Sequence, residues 1–195
     1  MGQKINSSYY YRLRESTVVP FRFSLLLVLV FFIQVLFQTD LGFLGILPNV
    51  YSGLIGVAFA PLIHGSHMHL YANLFPVIIL GSSLYFFYDR VADQVFFYCY
   101  FMTNCIVWLF GRPYYHIGAS GLVYGIAMFL IALGFFRGSL KSIMISVVVI
   151  IFYGGIIYGI LPTDKKISWE SHLAGAVVGM MMAFFSSKKK YLSSY

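Results

Sequence analysis

Charge is scarce in this chain. Only 10% of its 195 residues are Asp, Glu, Lys or Arg, against roughly 25% in a soluble globular domain. So few charges cannot cover a water-facing surface, which argues against a soluble enzyme. Acid is scarcer than base: six Asp and Glu stand against 13 Lys and Arg, and no carboxylate lies inside a long apolar stretch. A buried acid of a catalytic triad and a carboxylate relay for ions are both lacking. There are two cysteines, Cys99 and Cys105, in a single apolar stretch. Six residues apart, they do not share a helix face, so they read as core residues rather than a disulfide. No A-x-A-like site follows the polar, tyrosine-rich N-tail Met1–Arg22, and no cleavable signal peptide is expected. What is abundant is apolar surface, 60% of residues, with 19% aromatic. That composition excludes disorder and leaves a polytopic membrane protein of one domain. The net charge of +7 sits between apolar stretches, which marks membrane topology rather than a nucleic-acid partner.

The charges divide the chain. The intervals Arg22–Asp40, Asp93–Arg112, Arg112–Arg137, Lys141–Asp164 and Glu170–Lys188 enclose 17, 18, 24, 22 and 17 uncharged residues, and Asp40–Asp89 encloses 48. A helix needs about 20 residues to cross a bilayer, so five intervals hold one span each. The sixth holds one span plus a loop, because Leu41–Ile63 carries Gly42, Gly45, Pro48, Asn49, Ser52, Gly53, Gly56 and Pro61, a density of breakers suited to irregular structure. The charge asymmetry agrees. Six spans with an inner N-terminus put ten Lys and Arg inside and three (Arg112, Lys165, Lys166) outside, whereas a seventh span would leave no bias. The expected fold is an all-α membrane protein of six transmembrane helices with an irregular first outer loop and both termini cytoplasmic. Its spans are Val18–Gln38, His67–Phe87, Val91–Phe110, Ala119–Phe136, Ser139–Leu161 and Ser171–Ser187. Residues 1–17 form a cytoplasmic tail, 18–187 the helical domain, and 188–195 a basic tail whose Lys188–Lys190 anchor on the anionic leaflet. Pro76 is expected to kink the second span.

All five histidines, His64, His67, His69, His116 and His172, fall at the outer ends of spans or in outer loops. Polar groups at membrane depth are tolerated where they face a bundle interior or a wet cavity, so the clustering suggests a polar chamber opening outward. His67 and His116 read as rim residues. His69 and Asn73 are four apart and share a helix face. Ser120, between Gly118 and Gly121, sits near a helix N-terminus where backbone N–H groups are free. Gly121 with Gly125, and Gly175 with Gly179, form faces that let two helices approach closely and bring Ser120 to His172. A serine held against a histidine, with donors beside it, has the parts for acyl transfer. Without an acid, a dyad is the natural form, with Tyr124 the candidate to orient His172 by packing.

The motifs His64-x4-His69-x3-Asn73, Gly118-Ala119-Ser120-Gly121, and His172 followed by Gly175 and Gly179 resemble those of rhomboid intramembrane serine proteases, in order and spacing, over roughly 61–184. The resemblance implies Ser120 as nucleophile and His172 as general base. It implies an oxyanion hole from the Ser120 backbone N–H with the His69 and Asn73 side chains, Tyr124 stacked on the histidine, and support from Gly118, Gly121 and His64. It further implies cleavage of transmembrane protein substrates near the outer end of a helix, after a small side chain. No metal or cofactor is implied, and the setting is the bacterial inner membrane with the site facing outward. Three departures stand out: Ile55-Gly56 where many members have Trp-Arg, Ser171 before the histidine, and the segment Ser168-Trp169-Glu170. Two other functions fit the sequence less well: a catalytically inactive relative that binds transmembrane helices, and a metal or proton transporter built on the histidine cluster.

Overall fold

The structure, a computed structural model, describes residues 2–162 and 167–192. Among them the chain is helical with no strand: α1 Gly2–Leu36, α2 Ile55–Phe59, α3 His67–Phe110, α4 Ser120–Arg137, α5 Leu140–Tyr153 and α6 Trp169–Ser187. Four stretches are long and apolar enough to cross a membrane: Tyr9–Leu36, His67–Phe110, Ser120–Arg137 and Leu140–Ile160. At 1.5 Å per residue α3 would be about 66 Å long, twice the hydrocarbon thickness. It breaks at Tyr88 (φ −141°, ψ 39°), where the second and third expected spans meet. Pro76 keeps helical dihedrals, so the interruption lies at Tyr88 instead. The 19 residues of α6 reach about 28 Å. Its first turn, Trp169–His172, is polar, and its glycines lie on the contact with α4 rather than facing lipid.

Helix α1 runs through the polar tail without a break, since nothing before Pro20 terminates it. Pro20 packs where Gly81 of α3 leaves room: a Cβ there would lie 2.8 Å from Pro20 Cγ. The Arg12 guanidinium sits 4.5 Å over the Phe86 ring and donates to the Phe86 carbonyl, two residues before the break in α3. Helix α4 is the centre of the bundle, with most of its residues buried and α3, α5 and α6 around it. Gly138, at φ +65°, ends it. Ser139 then caps α5, its hydroxyl accepting from the Ser142 N–H at 3.3 Å. After Tyr153 the fifth span finishes as 3-10 turns over Gly154–Ile160.

The segment between α1 and α3 is irregular, as its breakers predict. It is stapled to the outer end of the bundle by paired backbone bonds between Ile46 and His116 (2.9 Å each). The second half of α3 pins it further: Asn104 donates to the Val57 carbonyl (3.0 Å) and Trp108 to that of Val50 (3.0 Å). The alternation of the helices gathers Arg12, Arg90, Arg137, Lys141 and Lys188–Lys190 at one end and the histidines with Ser120 at the other. Lys165 and Lys166, which the charge count puts on the histidine side, lie outside the described residues.

Candidate active site

The site forms where the N-termini of α3, α4 and α6 meet. Helices α4 and α6 touch through backbone. A Cβ on Gly175 would fall 2.9 Å from the Gly121 carbonyl carbon, and one on Gly179 2.8 Å from that of Gly125. No side chain other than hydrogen fits at these crossings. The close approach sets His172, one turn before Gly175, against Tyr124, one turn after Ser120. The two rings stack with centroids 4.0 Å apart and planes 6° from parallel. His172 is 8% exposed, and its Nδ1 donates to the Gly159 carbonyl at 2.8 Å. A carbonyl only accepts, so Nδ1 carries the proton and Nε2 keeps its lone pair.

Ser120 is the first residue of α4, so its backbone N–H has no intrahelical acceptor. The residue before it, Ala119, contributes no side-chain cap. The Ser120 hydroxyl is not hydrogen-bonded to His172. Gly118 has φ +102°, the left-handed region that glycine tolerates and L-side chains do not. It also lies flat against the His69 imidazole, whose Cε1 would be 2.7 Å from a Cβ. Its own N–H donates to the Ala60 carbonyl (2.9 Å), tying the first loop to the start of α4.

Ser66 caps α3, its hydroxyl accepting from the His69 N–H at 3.1 Å. Asn73 is buried, and its amide donates to the His69 carbonyl at 2.8 Å, leaving a second N–H. His64 is 1% exposed. Its Nδ1 donates to the Leu62 carbonyl (3.3 Å), and its ring meets His69 edge-on at 5.0 Å. Burial, reinforced by the neighbouring His69, holds the His64 pKa down to about 4. His67 is exposed, with its ring on Phe31 at 4.9 Å, so His64, His67 and His69 do not converge. Among the described residues no three His, Cys, Asp or Glu come together as metal ligands.

His116 is not the rim residue expected: it is 2% exposed. Its Nε2 donates to the Arg112 carbonyl (3.0 Å) and its Nδ1 accepts from the Ser168 hydroxyl (2.6 Å). Tyr114 stacks on its ring at 4.8 Å, and burial keeps its pKa below the ordinary value. Ser168 in turn caps α6 and meets the Ser171 hydroxyl at 2.7 Å. Beside it Arg112 grips both carboxylate oxygens of Glu170 and the Ile167 carbonyl. The segment Ser168-Trp169-Glu170 is thus the clasp that fastens the start of α6, and with it His172, to the α3–α4 loop. The sequence sets Ser168-Trp169-Glu170 apart as a departure but does not name its partners, Arg112 and His116. The Gly159 carbonyl carries no signal in the sequence.

A family model described as Rhomboid domain matches residues 51–189. An uncharacterized protein of Mycobacterium tuberculosis (strain ATCC 25618 / H37Rv) is 36% identical over 182 residues, covering 85% of this chain and 72% of the other. An uncharacterized protein of Mycobacterium leprae (strain TN) is 32% identical over 151 residues, covering 69% of this chain and 57% of the other.

Proposed function

We propose that this integral membrane protein, which belongs to the rhomboid family, is an intramembrane serine endopeptidase acting through Ser120 and His172. The observation that carries the reading is the tautomer of His172. Tyr124 fixes the plane of the ring, and the Gly159 carbonyl holds the proton on Nδ1. The base nitrogen, Nε2, is left to take the Ser120 proton. Catalytic hydrogen bonds of this kind tighten in the Michaelis complex.

In the proposed reaction Ser120 Oγ attacks the scissile carbonyl as its proton passes to Nε2. The oxyanion is met by the Ser120 backbone N–H, the spare Asn73 N–H and the His69 ring. His172 then protonates the leaving amine. A water, deprotonated by the same nitrogen, hydrolyses the ester and returns the proton to Ser120. No carboxylate is required, because the imidazole is oriented by a ring and a carbonyl. Substrates are membrane proteins cut near the outer end of a transmembrane helix. The groove between the first half of α3 and α5, bordered by Tyr71, Phe75, Phe152 and Tyr153, gives such a helix a lateral approach. The basic end faces the cytoplasm, so the site opens to the outer side of the inner membrane.

A fluorophosphonate probe tests this. Wild-type protein should be labelled and should cleave a transmembrane substrate, while Ser120→Ala should do neither at unchanged thermal stability. Cleavage by Ser120→Ala, or labelling that survives both Ser120→Ala and His172→Ala, overturns the proposal. Absence of labelling and cleavage in the wild type favours an inactive, helix-binding relative.

A further inference from the structure

The groove beside α5 continues past the region near Tyr71 and Tyr153 toward the basic end of the bundle. Its lower part is lined by Ser83 and Phe87 of α3 and by Lys141, Met144, Ile145 and Val148 of α5, among others. It opens sideways to the bilayer, and its walls are almost wholly apolar. One cation closes its lower end: Lys141 is exposed, with Nζ 5.6 Å from the Phe87 ring centroid. The charged groups that act on Lys141 are Arg12 of α1, Arg137 at the end of α4 and Asp89 at the break in α3. Three cations thus face one carboxylate at the mouth of an apolar slot.

We propose that this slot binds one anionic phospholipid of the inner leaflet, acyl chain between α3 and α5 and phosphate at Lys141. Charge chooses a lipid over a substrate helix at this end. The cytoplasmic flanks of membrane helices are rich in Lys and Arg. Lys141 with Arg12 and Arg137 near it repels such a flank, whereas a phosphate complements it. The slot, about 460 Å³, accommodates a threaded acyl chain. Basic pockets between helices at the cytoplasmic side hold anionic headgroups for this reason. The Lys188–Lys190 tail is a separate feature: its Lys188 and Lys190 lie over Phe184 and Tyr191, and Lys189 reaches Gln94.

The test uses the full chain purified in detergent, with dioleoyl-phosphatidylglycerol or dioleoyl-phosphatidylcholine added, read by native mass spectrometry and by thermal unfolding. Phosphatidylglycerol should remain bound as a single copy and raise the unfolding temperature, and phosphatidylcholine should do neither. Lys141→Gln should weaken phosphatidylglycerol about fivefold, the effect of losing one cation at a lipid surface, and Lys141→Arg should restore it. Met144→Trp, which fills the slot, should abolish the bound copy. Replacing Lys188, Lys189 and Lys190 with Gln should leave it in place. Equal response to both lipids overturns the proposal. So does an undiminished effect in Lys141→Gln or Met144→Trp, loss in the triple tail variant alone, or an equal response to glycerol phosphate, which has no acyl chain. None of these readouts depends on peptidase activity.

Discussion

Gly175→Ala should disable the site by parting two helices. The new Cβ would lie 3.2 Å from the Gly121 Cα and 2.9 Å from its carbonyl carbon, with the carbonyl oxygen closer still, where ordinary contact is 3.4–4 Å. No flexible side chain can yield, because every obstructing atom is backbone. Helices α4 and α6 must therefore separate by about 0.5–1 Å, an overpacking that costs roughly 1–3 kcal/mol of stability. His172 rides on α6 three residues earlier, and Ser120, the proposed nucleophile, rides on α4. A reacting pair misplaced by about 1 Å loses on the order of 100-fold in rate, equal to about 2.7 kcal/mol of barrier. The assay is cleavage of a transmembrane substrate by reconstituted protein at a temperature where the variant remains folded, with thermal unfolding measured alongside. Gly155→Ala is the control, since a Cβ there meets nothing within 4 Å. It should leave both rate and stability within error. A Gly175→Ala protein as fast and as stable as wild type would refute the reasoning, as would equal damage from Gly155→Ala.

Three other perturbations probe different parts of the site. Arg112→Met strands the Glu170 carboxylate, which is only 8% exposed, and should cost about 2 kcal/mol or more; Arg112→Met/Glu170→Gln should recover part of that loss in unfolding experiments. Tyr124→Phe keeps the ring on His172 and should cleave within a few-fold of wild type, whereas Tyr124→Ala, losing a stacked pair of about 0.5–1.5 kcal/mol, should slow cleavage about tenfold and leave fluorophosphonate labelling proportionally slower. The His64 pKa falls from 6.5 to about 4 on folding, so below pH 6.5 the unfolded chain takes a proton that the folded chain refuses. Stability should therefore drop as pH falls from 6.5 toward 4, by up to about 3 kcal/mol. Unfolding measured at pH 7.5 and 4.5 should show a smaller difference in His64→Gln than in wild type.

The helical layout was legible because charges are so few that each marks a membrane boundary. The Asp89–Asp93 stretch read as the end of one span and the start of the next, and the chain does turn there, but through the single residue Tyr88 rather than a loop. The polar tail read as separate from the first span, yet α1 runs through it, since polarity without a breaker does not stop a helix. The stacking of Tyr124 on His172 was readable from spacing, because glycines at Gly121, Gly125, Gly175 and Gly179 announce a close crossing. His116 was misplaced because its partner, Ser168, is 52 residues away and no local pattern connects them. The Gly159 carbonyl was invisible for a different reason: it acts through backbone, which leaves no mark in the pattern of side chains.

The turn at Tyr88 leaves the second and third spans with no slack between them. Tilting one arm of this bent rod swings the other, so a displacement at the elbow, where Arg12 lies on Phe86, reaches both far tips. One tip carries His69 and Asn73; the other carries Trp108 and the anchor of the first loop. A change in the tilt of either arm therefore acts on the site and on the first loop together.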